Sequence, residues 1–412
     1  MAQTSVDNKT TLETALEASF RGRSSVNEAQ AAAFDRFEKS RFPNRRVEGW
    51  KWSDFATRLR NFSPASEPSA LTTIEPSRFA SLNPLEFRLC DGRIELPQED
   101  MPEGLRYGIL DAVATIAELE NNPIANLNVA MTRKALGIEI GEGVDFKRPI
   151  LIRHINSGSG FAFAQTMMRI SVNAKVQIIE TYEGEATGLY SHLFHLVVRD
   201  GASFNRAMMQ DTSQEATIHA ICAAKIEGDA AFNQSALSTG GQLCRHETHV
   251  HFWSPNSRAK INSASLLSGD RHADFTSETR HLAPDCETTQ LHKGVARDRA
   301  RNVFQGKFFV KREAQKTDAK MTANALLLSD TAEANHKPEL EIYADDVECA
   351  HGSTVGALDQ DALFYLRQRG LSEEEARALL VDAFVGEVIG DIDHEQIREI
   401  FETQVQNWLA QS

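Results

Sequence analysis

The stretch 174–261 repeats one short pattern, as Ala174-Lys175-Val176, Ala202-Ser203-Phe204, Ala230-Ala231-Phe232 and Ala259-Lys260-Ile261. Each copy is an alanine, any residue and a large apolar residue, and the copies recur at steps of about 28 residues. Further copies begin at Ala273 and Ala319, where the spacing is less regular. A recurring period of this length is typical of solenoid proteins, in which every repeat stacks on its neighbours.

Strand-like runs accompany the repeat, among them Val176–Ile178, Ile218–Ile226 and Ala323–Leu328. No helical pattern long enough for a crossover between parallel strands separates these runs. The sequence therefore predicts a mainly β fold, a β-helix-like solenoid with two strands in each turn. A β-sandwich is the alternative, although its strands would be spaced more closely and less evenly.

Helical patterns occupy the chain before the repeat. One predicted helix follows Thr10, and a second is expected to begin at Ser25 or Asn27, whose side chains suit a helix N-terminus. A further helical pattern covers Ile109–Leu119 in a region of mixed character. The N-terminal part of the chain is therefore predicted to be helical or mixed.

Helical patterns return after the repeat. A short predicted helix covers Asp361–Arg369, and Ser372 with Glu375 has the spacing of a capping box that begins a second helix. Asp393 with Gln396 has the same spacing and begins a third. Such helices either only cover the apolar end of a solenoid or also dock a partner. Three domains are therefore predicted: a helical or mixed N-terminal domain (1–125), a β-helix core (126–356) and a C-terminal helical domain (357–412).

The charge and composition argue against several classes of function. A formal net charge of −14 over 412 residues opposes binding to nucleic acid or to an anionic membrane, since either needs a basic surface. The first residues lack the basic start and apolar core of a secretion signal, and no apolar run is long enough to span a bilayer. The five cysteines are scattered without a Cys-x-x-Cys pair, which predicts a reduced, cytoplasmic protein.

Motifs that would indicate catalysis are weak. The chain has no P-loop pattern, so we expect no ATP site of that type, and it has no dinucleotide-binding glycine pattern. Asp274, Asp285 and Asp298 could supply the acid and base of a β-helix enzyme that acts on polysaccharides, but their spacing is not diagnostic. His249 and His251 would share one face of a strand and could bind a metal, although such pairs are more often hydrogen-bonded or solvated.

Cys349 and His351 form the strongest candidate site. They lie two residues apart at the end of a strand-like run, and an extended backbone projects such residues to the same side. A thiolate and an imidazole together suit iron–sulphur clusters or zinc. Two ligands do not close a site, so the others must come from elsewhere in the chain or from a partner. Cys222 and Cys244 lie in apolar segments and are expected to be buried and inert.

Two stretches around this pair carry a resemblance to a known family. Leu340–Gly356, which contains Asp-Asp-Val-Glu-Cys-Ala-His-Gly, and Leu363–Gly370 closely resemble the SufB/SufD family of the SUF iron–sulphur cluster assembly scaffold. SufB members lack the Asp-Asp-Val-x-Cys-x-His-Gly string, so the chain is more similar to the SufD members. Further matching segments are His292–Val295, Arg301–Gly306, Ala314–Ala319, Asn324–Ser329 and, near the N-terminus, Glu48–Ser53.

The resemblance implies a fold and a function. The fold is a right-handed parallel β-helix between two helical domains. The function is that of a non-catalytic scaffold subunit of the SufBCD complex, which pairs with a SufB paralogue and binds the SufC P-loop ATPase through its C-terminal helices. A transient iron–sulphur cluster, or its iron, would be shared with SufB, with His351 as a ligand from this chain and Cys349 as an accessory thiol.

Alternatives to this function stay open at the level of the sequence. One is a β-helix enzyme that acts on polysaccharide, and another is a purely structural partner of SufB with no ligand role. An edge of the solenoid could also pair with a second copy of the chain when SufB is missing, giving a homodimer. The family complex is linked to reduced flavin as well, but the sequence has no flavin-binding motif and none is assigned.

Overall fold

The computed structural model describes residues 9–60, 62, 74–112, 119–158 and 160–411. Within these residues the chain is a parallel β-solenoid of about eight turns with helices before and after it. The helices are α1 (Thr11–Arg21), α2 (Glu28–Ser40), α3 (Phe55–Arg58), α4 (Pro123–Met131), α5 (Gln360–Gln368), α6 (Glu373–Ile389) and α7 (Glu395–Leu409), with 3₁₀-helices at Glu48–Trp50 and Ala80–Leu82. The strands are β1 (Leu85–Cys90), β2 (Arg93–Glu95), β3 (Leu105–Asp111), β4 (Lys134–Ile140), β5 (Asp145–Ile155), β6 (Phe161–Ile170), β7 (Lys175–Gly184), β8 (Leu189–Val198), β9 (Ser203–Thr212), β10 (Thr217–Ile226), β11 (Ala231–Ser238), β12 (Leu243–Phe252), β13 (Arg258–Leu267), β14 (His272–His281), β15 (Glu287–Ala296), β16 (Arg301–Val310), β17 (Thr317–Leu327), β18 (Glu333–Ile342) and β19 (Val347–Gly356).

The strands alternate between two sheets. From β4 onward, successive strands belong to opposite sheets, so that two strands make one turn of the solenoid. The ten-stranded sheet has the order β19-β17-β15-β13-β11-β9-β7-β5-β1-β2, and the nine-stranded sheet has the order β18-β16-β14-β12-β10-β8-β6-β4-β3. Neighbouring strands are parallel except for two antiparallel pairs at the N-terminal end, β1 with β2 and β3 with β4. The prediction of a solenoid with two strands per turn is confirmed.

The corners of the solenoid explain the alanine repeat. The residue before each of three alanines has a left-handed backbone, with φ of 58° at Asn173, 67° at Gly201 and 54° at Asp229. Glycine, asparagine and aspartate enter this conformation at the lowest cost. The apolar residue two positions after the alanine points into the interior, where the rings of Phe204 and Phe232 stack with their centroids 5.6 Å apart. The period in the sequence is therefore the period of the turns.

The N-terminal helices pack against the outer face of the nine-stranded sheet. Leu16 of α1, Phe34 of α2 and Ile124 of α4 belong to one buried hydrophobic cluster with outward-facing residues of β8, β10 and β12. The predicted caps are present, since Thr10 and Asn27 each form a complete capping box. The amphipathic stripes of these helices are thus buried against the flank of the solenoid.

The C-terminal helices also lie along a flank and not across the end of the solenoid. Val385 of α6 and Phe401 of α7 pack with Leu237 and Val295, which face outward from β11 and β15 of the ten-stranded sheet. The expectation that these helices cover the apolar end is therefore wrong, because the sheet surface buries their apolar residues. Among the described residues, no strand pairs with the outer edges of β18 and β19.

Two local predictions are wrong. Ile109 and Leu110 lie in β3, because pairing with β4 decides the conformation there, and residues 113–118 of the predicted helix lie outside the described residues. Helix α7 has His394 at its N-cap and no side-chain capping bond, so Asp393 does not cap it. Helix α6, by contrast, begins at the predicted capping box of Ser372.

Two further expectations concern the membrane and export. No helix in the described part of the chain is long and apolar enough to cross a membrane. The expected lack of a secretion signal concerns residues 1–8, which lie outside the described residues.

Candidate metal centre at the open end of the solenoid

The candidate pair Cys349 and His351 lies on β19, the last strand of the ten-stranded sheet. In the parallel register Cys349 stands beside Ala319 of β17, and His351 stands beside Met321. Both partners are buried in the interior of the solenoid, and Cys349 itself packs against that core. The structure therefore places the two candidate residues on the same, inward-facing side of a strand whose other edge is unpaired.

The two residues differ in exposure because the last turn has no turn above it. The Cys349 side chain is half-buried, and His351 is exposed. Burial, and then the charge of Asp318, raises the pKa of the Cys349 thiol. The thiol is therefore protonated at neutral pH, and coordination of a metal would release its proton.

His336 of β18 faces the same open end, and the sequence did not indicate it as a candidate ligand. It stands beside Phe304 of β16, in the register of interior residues. Its Nδ1 lies 2.9 Å from the Ser353 Oγ of β19, while its Nε2 has no hydrogen-bond partner in the part of the chain that the structure describes. Burial lowers the pKa of His336 to about 4, so the imidazole is neutral and its free nitrogen can accept a metal.

The interior also contains a buried histidine and glutamate cluster that sequence reasoning did not identify. One ligand atom from each of His154, Glu180 and His192 lies within 4.8 Å of the others. The His154 Nε2 lies 2.9 Å from the Glu180 carboxylate, and the Arg206 Nη2 lies 2.6 Å from it. Burial opposes ionisation of Glu180, but Arg206 and the two histidines outweigh it and hold the Glu180 pKa well below its usual range.

This cluster has the donor atoms of a metal site, and its hydrogen bonds are already satisfied. The His154 Nδ1 lies 2.7 Å from the Tyr190 hydroxyl, and the His192 Nε2 lies 3.0 Å from the Thr166 hydroxyl. Burial lowers the pKa of His192 to about 3, so this ring is neutral. The Arg206 guanidinium already neutralises the carboxylate, which makes the cluster a closed polar network inside the solenoid.

The predicted histidine pair on β12 is part of another buried network. The His249 Nε2 lies 3.0 Å from the Glu247 carboxylate, which also binds His219 at 2.9 Å and the Arg245 Nε at 2.8 Å. These odd-numbered residues face outward, under the N-terminal helices, and His251 is buried on the same face. The His249 Nε2 is therefore already hydrogen-bonded to a carboxylate, and it would have to leave this partner to bind a metal.

The three aspartates considered for catalysis occupy separate positions. Asp274 is fully buried in β14, where it accepts hydrogen bonds from Ser53 and from Arg245. Asp285 and Asp298 occupy corners with left-handed φ values of 56° and 59°. Asp285 lies between β14 and β15 and Asp298 between β15 and β16, so the three aspartates occupy different parts of the solenoid.

The other predicted thiols behave as expected. Burial raises the pKa of Cys222 to about 11 and that of Cys244 to about 12. Both thiols are buried in the solenoid. Their predicted burial is confirmed, and the raised pKa values agree with low reactivity.

The fold and the site together define a class of protein, a parallel β-solenoid with a cysteine and histidine pair on the edge strand at one end. Residues 153–384 match the family model described as SUF system FeS cluster assembly, SufBD core domain. The chain belongs to this SufB/SufD family, as the resemblance in its sequence indicated. Membership gives it a role in iron–sulphur cluster assembly.

Relatives with curated descriptions support the same family. The chain is 28% identical over 376 residues to the iron–sulfur cluster assembly protein SufD of Escherichia coli K12, covering 87% of each chain. It is 26% identical over 398 residues to an iron–sulfur cluster assembly SufBD family protein of Synechocystis, covering 89% of this chain and 87% of that one. It is 28% identical over 284 residues to the chloroplastic protein ABCI7 of Arabidopsis thaliana, covering 66% of this chain and 60% of that one.

Proposed function

We propose that this chain is a non-catalytic scaffold subunit that pairs with a SufB paralogue through β18 and β19 and shares a nascent iron–sulphur cluster, or its iron, with it. The observation that carries the proposal is the position of Cys349 and His351, which face inward on a terminal strand with one unpaired edge. This chain would supply part of the ligand set at that end, and the end of a second solenoid would supply the rest.

The edges of the last turn suit such a partner. Strands β18 and β19 each span ten residues, and each presents a row of backbone donors and acceptors along its free edge. An exposed strand edge of this length pairs readily with a strand of another chain. Exposed apolar side chains at the same end, Ile342 and Val355, add area that a partner would bury.

The role of the ligands follows from their chemistry. His351 is exposed and available, whereas the thiol of Cys349 is half-buried and has a raised pKa. Imidazole brings less negative charge to iron than thiolate does, so a site held partly by His351 would keep a cluster that is easily passed on. His336 is a further candidate ligand, because its Nε2 has no partner at the same end.

The ATPase would dock on the C-terminal helices. Phe364 and Tyr365 of α5 are 64% and 57% exposed, and Leu379 of α6 is 47% exposed. Large apolar side chains left in water on one helical region are typical of an interaction surface. A SufC partner bound there would supply the ATP hydrolysis for which this chain has no P-loop, and its motion would open the SufB interface.

The same proposal places the protein in the reducing cytoplasm. All five cysteines are free thiols. A reducing compartment keeps Cys349 available as a ligand. Self-pairing of the chain through β18 and β19 is expected only when the SufB paralogue is missing.

The test is the iron and sulphide content of the complex purified after coexpression with SufB and SufC. We expect His351→Ala to reduce the cluster content strongly while the three chains still copurify. Thr354→Ala is the matched control, since Thr354 lies on the opposite face of β19, where it accepts a hydrogen bond from Asn324. Unchanged iron content in His351→Ala would refute the ligand role and leave a purely structural partner of SufB.

A further inference from the structure

A basic cavity lies between the segment 44–60 and the beginnings of β14, β16 and β18. Its volume is about 690 Å³, within the range of pockets that hold small molecules. None of its lining residues belongs to the site at the end of the solenoid. The lining residues are Asn44, Arg45, Arg46, Lys51, Trp52, Asp54, Ala56, Thr57, Arg58, Arg60, His272, Arg301, Val303, Glu333 and Asn335.

The sign of the charge in this cavity is opposite to that of the whole chain. Six of its lining side chains are cationic and two are carboxylates, while the chain carries a net charge of −14. The Asp54 carboxylate is occupied by hydrogen bonds from the Thr57 backbone nitrogen at 2.8 Å and from the Thr57 hydroxyl at 2.9 Å. Most of the positive charge is therefore not balanced within the cavity.

Two arginines are crowded together without enough counter-charge. Arg58 is half-buried, and its guanidinium makes no hydrogen bond or ion pair with any described residue. Burial, and then the charge of Arg301, lower the pKa of Arg58, and the carboxylates of Asp270 and Asp54 offset this only in part. Arg301 has a single carboxylate within reach, that of Glu333 at 3.4 Å. An anion between the two guanidinium groups would relieve this repulsion.

A buried imidazole provides a second, independent sign of a ligand. His272 lines the cavity, is only 2% exposed, and its Nε2 has no hydrogen-bond partner among the described residues. Buried polar atoms are nearly always paired, by protein or by a bound molecule. A ligand oxygen in the cavity would supply the missing partner.

The wall of the cavity is held rigidly by the motif Glu48–Ser53, which the cluster site does not use. The Trp50 ring is buried with the Arg245 guanidinium 4.0 Å from its centroid, and Ser53 donates a hydrogen bond to buried Asp274. These two anchors fix the intervening residues Lys51 and Trp52, both of which line the cavity. The motif therefore presents a cation and an aromatic face to a bound molecule.

We propose that this cavity binds the phosphate group of a small molecule, held between Arg58 and Arg301 with His272 as a further hydrogen-bonding partner. Guanidinium groups pair with the oxygens of phosphate in a planar, two-pronged geometry. A doubly charged phosphate matches the several unbalanced cations better than a single carboxylate does. The volume leaves room beside the phosphate for a second phosphate or for an organic part that packs on Trp52.

The test is calorimetric titration of the purified full-length chain with inorganic pyrophosphate and, separately, with adenosine monophosphate at low ionic strength. We expect saturable binding that weakens as salt is added. Arg58→Gln and Arg301→Gln should each weaken binding about tenfold or more, since each removes a charge-assisted pair. Arg377→Gln is the matched control, because Arg377 is exposed on α6, where it pairs with Glu373.

The outcomes separate the sources of the phosphate and can overturn the proposal. Tighter binding of pyrophosphate points to an inorganic or polyphosphate ligand, and tighter binding of adenosine monophosphate points to an organic phosphate. Absence of binding by both, or an equal loss in Arg377→Gln, would overturn the proposal. Lys51 also lines the cavity, and its position is exposed. The Lys51→Gln variant therefore tests the same cavity should either arginine variant fail to fold.

Discussion

The buried pair of Arg206 and Glu180 gives the sharpest stability prediction. Glu180 is fully buried, and Arg206 is 6% exposed. The guanidinium approaches the carboxylate through its Nε at 2.7 Å and its Nη2 at 2.6 Å. Replacing Arg206 with methionine removes the cation and both contacts while it keeps an unbranched, apolar side chain in the interior.

Arg206→Met should lower the free energy of unfolding at neutral pH by about 3–5 kcal/mol, because removal of one partner leaves a buried charge without compensation. The remaining bonds from His154 at 2.9 Å and from Tyr182 at 2.7 Å keep Glu180 hydrogen-bonded but supply no full positive charge. The double variant Glu180→Gln with Arg206→Met should recover much of the loss, since it buries no charge.

The pH dependence has a definite sign. In the wild type the Glu180 pKa is lowered on folding, so its contribution is present above the unfolded pKa of about 4.3 and is lost as the pH falls. In Arg206→Met the cation that favours ionisation of Glu180 is gone. Burial should then raise the pKa of Glu180 in the folded state above its unfolded value. The cost of the substitution should therefore be largest at neutral pH and shrink as the pH approaches 4.

Urea denaturation followed by circular dichroism at several pH values measures these changes. Arg299→Met is the control, because it breaks an exposed pair with Asp270 at 2.7 Å and should cost only about 0–1 kcal/mol. A cost below about 1 kcal/mol for Arg206→Met, or no recovery in the double variant, would show that the pair does not stabilise the fold as argued.

Four further predictions concern the core, a cap, the reactivity of the thiols and the role of Cys349. Phe232→Ala should destabilise the chain by about 3–5 kcal/mol in urea denaturation, because it empties a fully buried position in the ring stack, and a loss below about 1 kcal/mol would contradict that packing. Ser372→Ala should lower the free energy of unfolding by about 1 kcal/mol, since it removes the capping box of α6. Ser372→Asp should leave it unchanged in the same urea denaturation. Cys349 should be alkylated by iodoacetamide in the native chain before the buried Cys222 and Cys244, and mass spectrometry that finds all three modified at one rate would refute the burial. Cys349→Ala should lower the cluster content of the coexpressed complex less than His351→Ala does.

The repeat predicted the fold because it arises from the local requirements of each corner of the solenoid. Each corner needs a left-handed residue, a small residue and then an inward apolar side chain, as at Asp229, Ala230 and Phe232. These needs recur once per turn, so that the period of the sequence reports the period of the solenoid. The caps of α1, α2 and α6 were predictable for the same reason, since a cap depends on residues within one helical turn.

Features that depend on which surfaces meet were not predictable. An apolar stripe on α6 indicates that the helix is buried, but the flank and the end of a solenoid are equally apolar partners. The grouping of His154, Glu180 and His192 has no short motif, because parallel stacking joins His154 and Glu180 from neighbouring turns, and His192 comes from the facing sheet. His336 was missed because its inward direction follows from its register beside Phe304.

The two ends of the solenoid differ in how readily each could pair with another strand. At the N-terminal end each sheet finishes in an antiparallel strand, β2 or β3, and β2 is only three residues long. An edge as short as that of β2 is a poor template for further stacking, whereas the other end presents two ten-residue edges. If the proposed pairing uses β18 and β19 of both molecules, it occupies both open ends, and growth would stop at two solenoids where chains with two open ends would form a fibre.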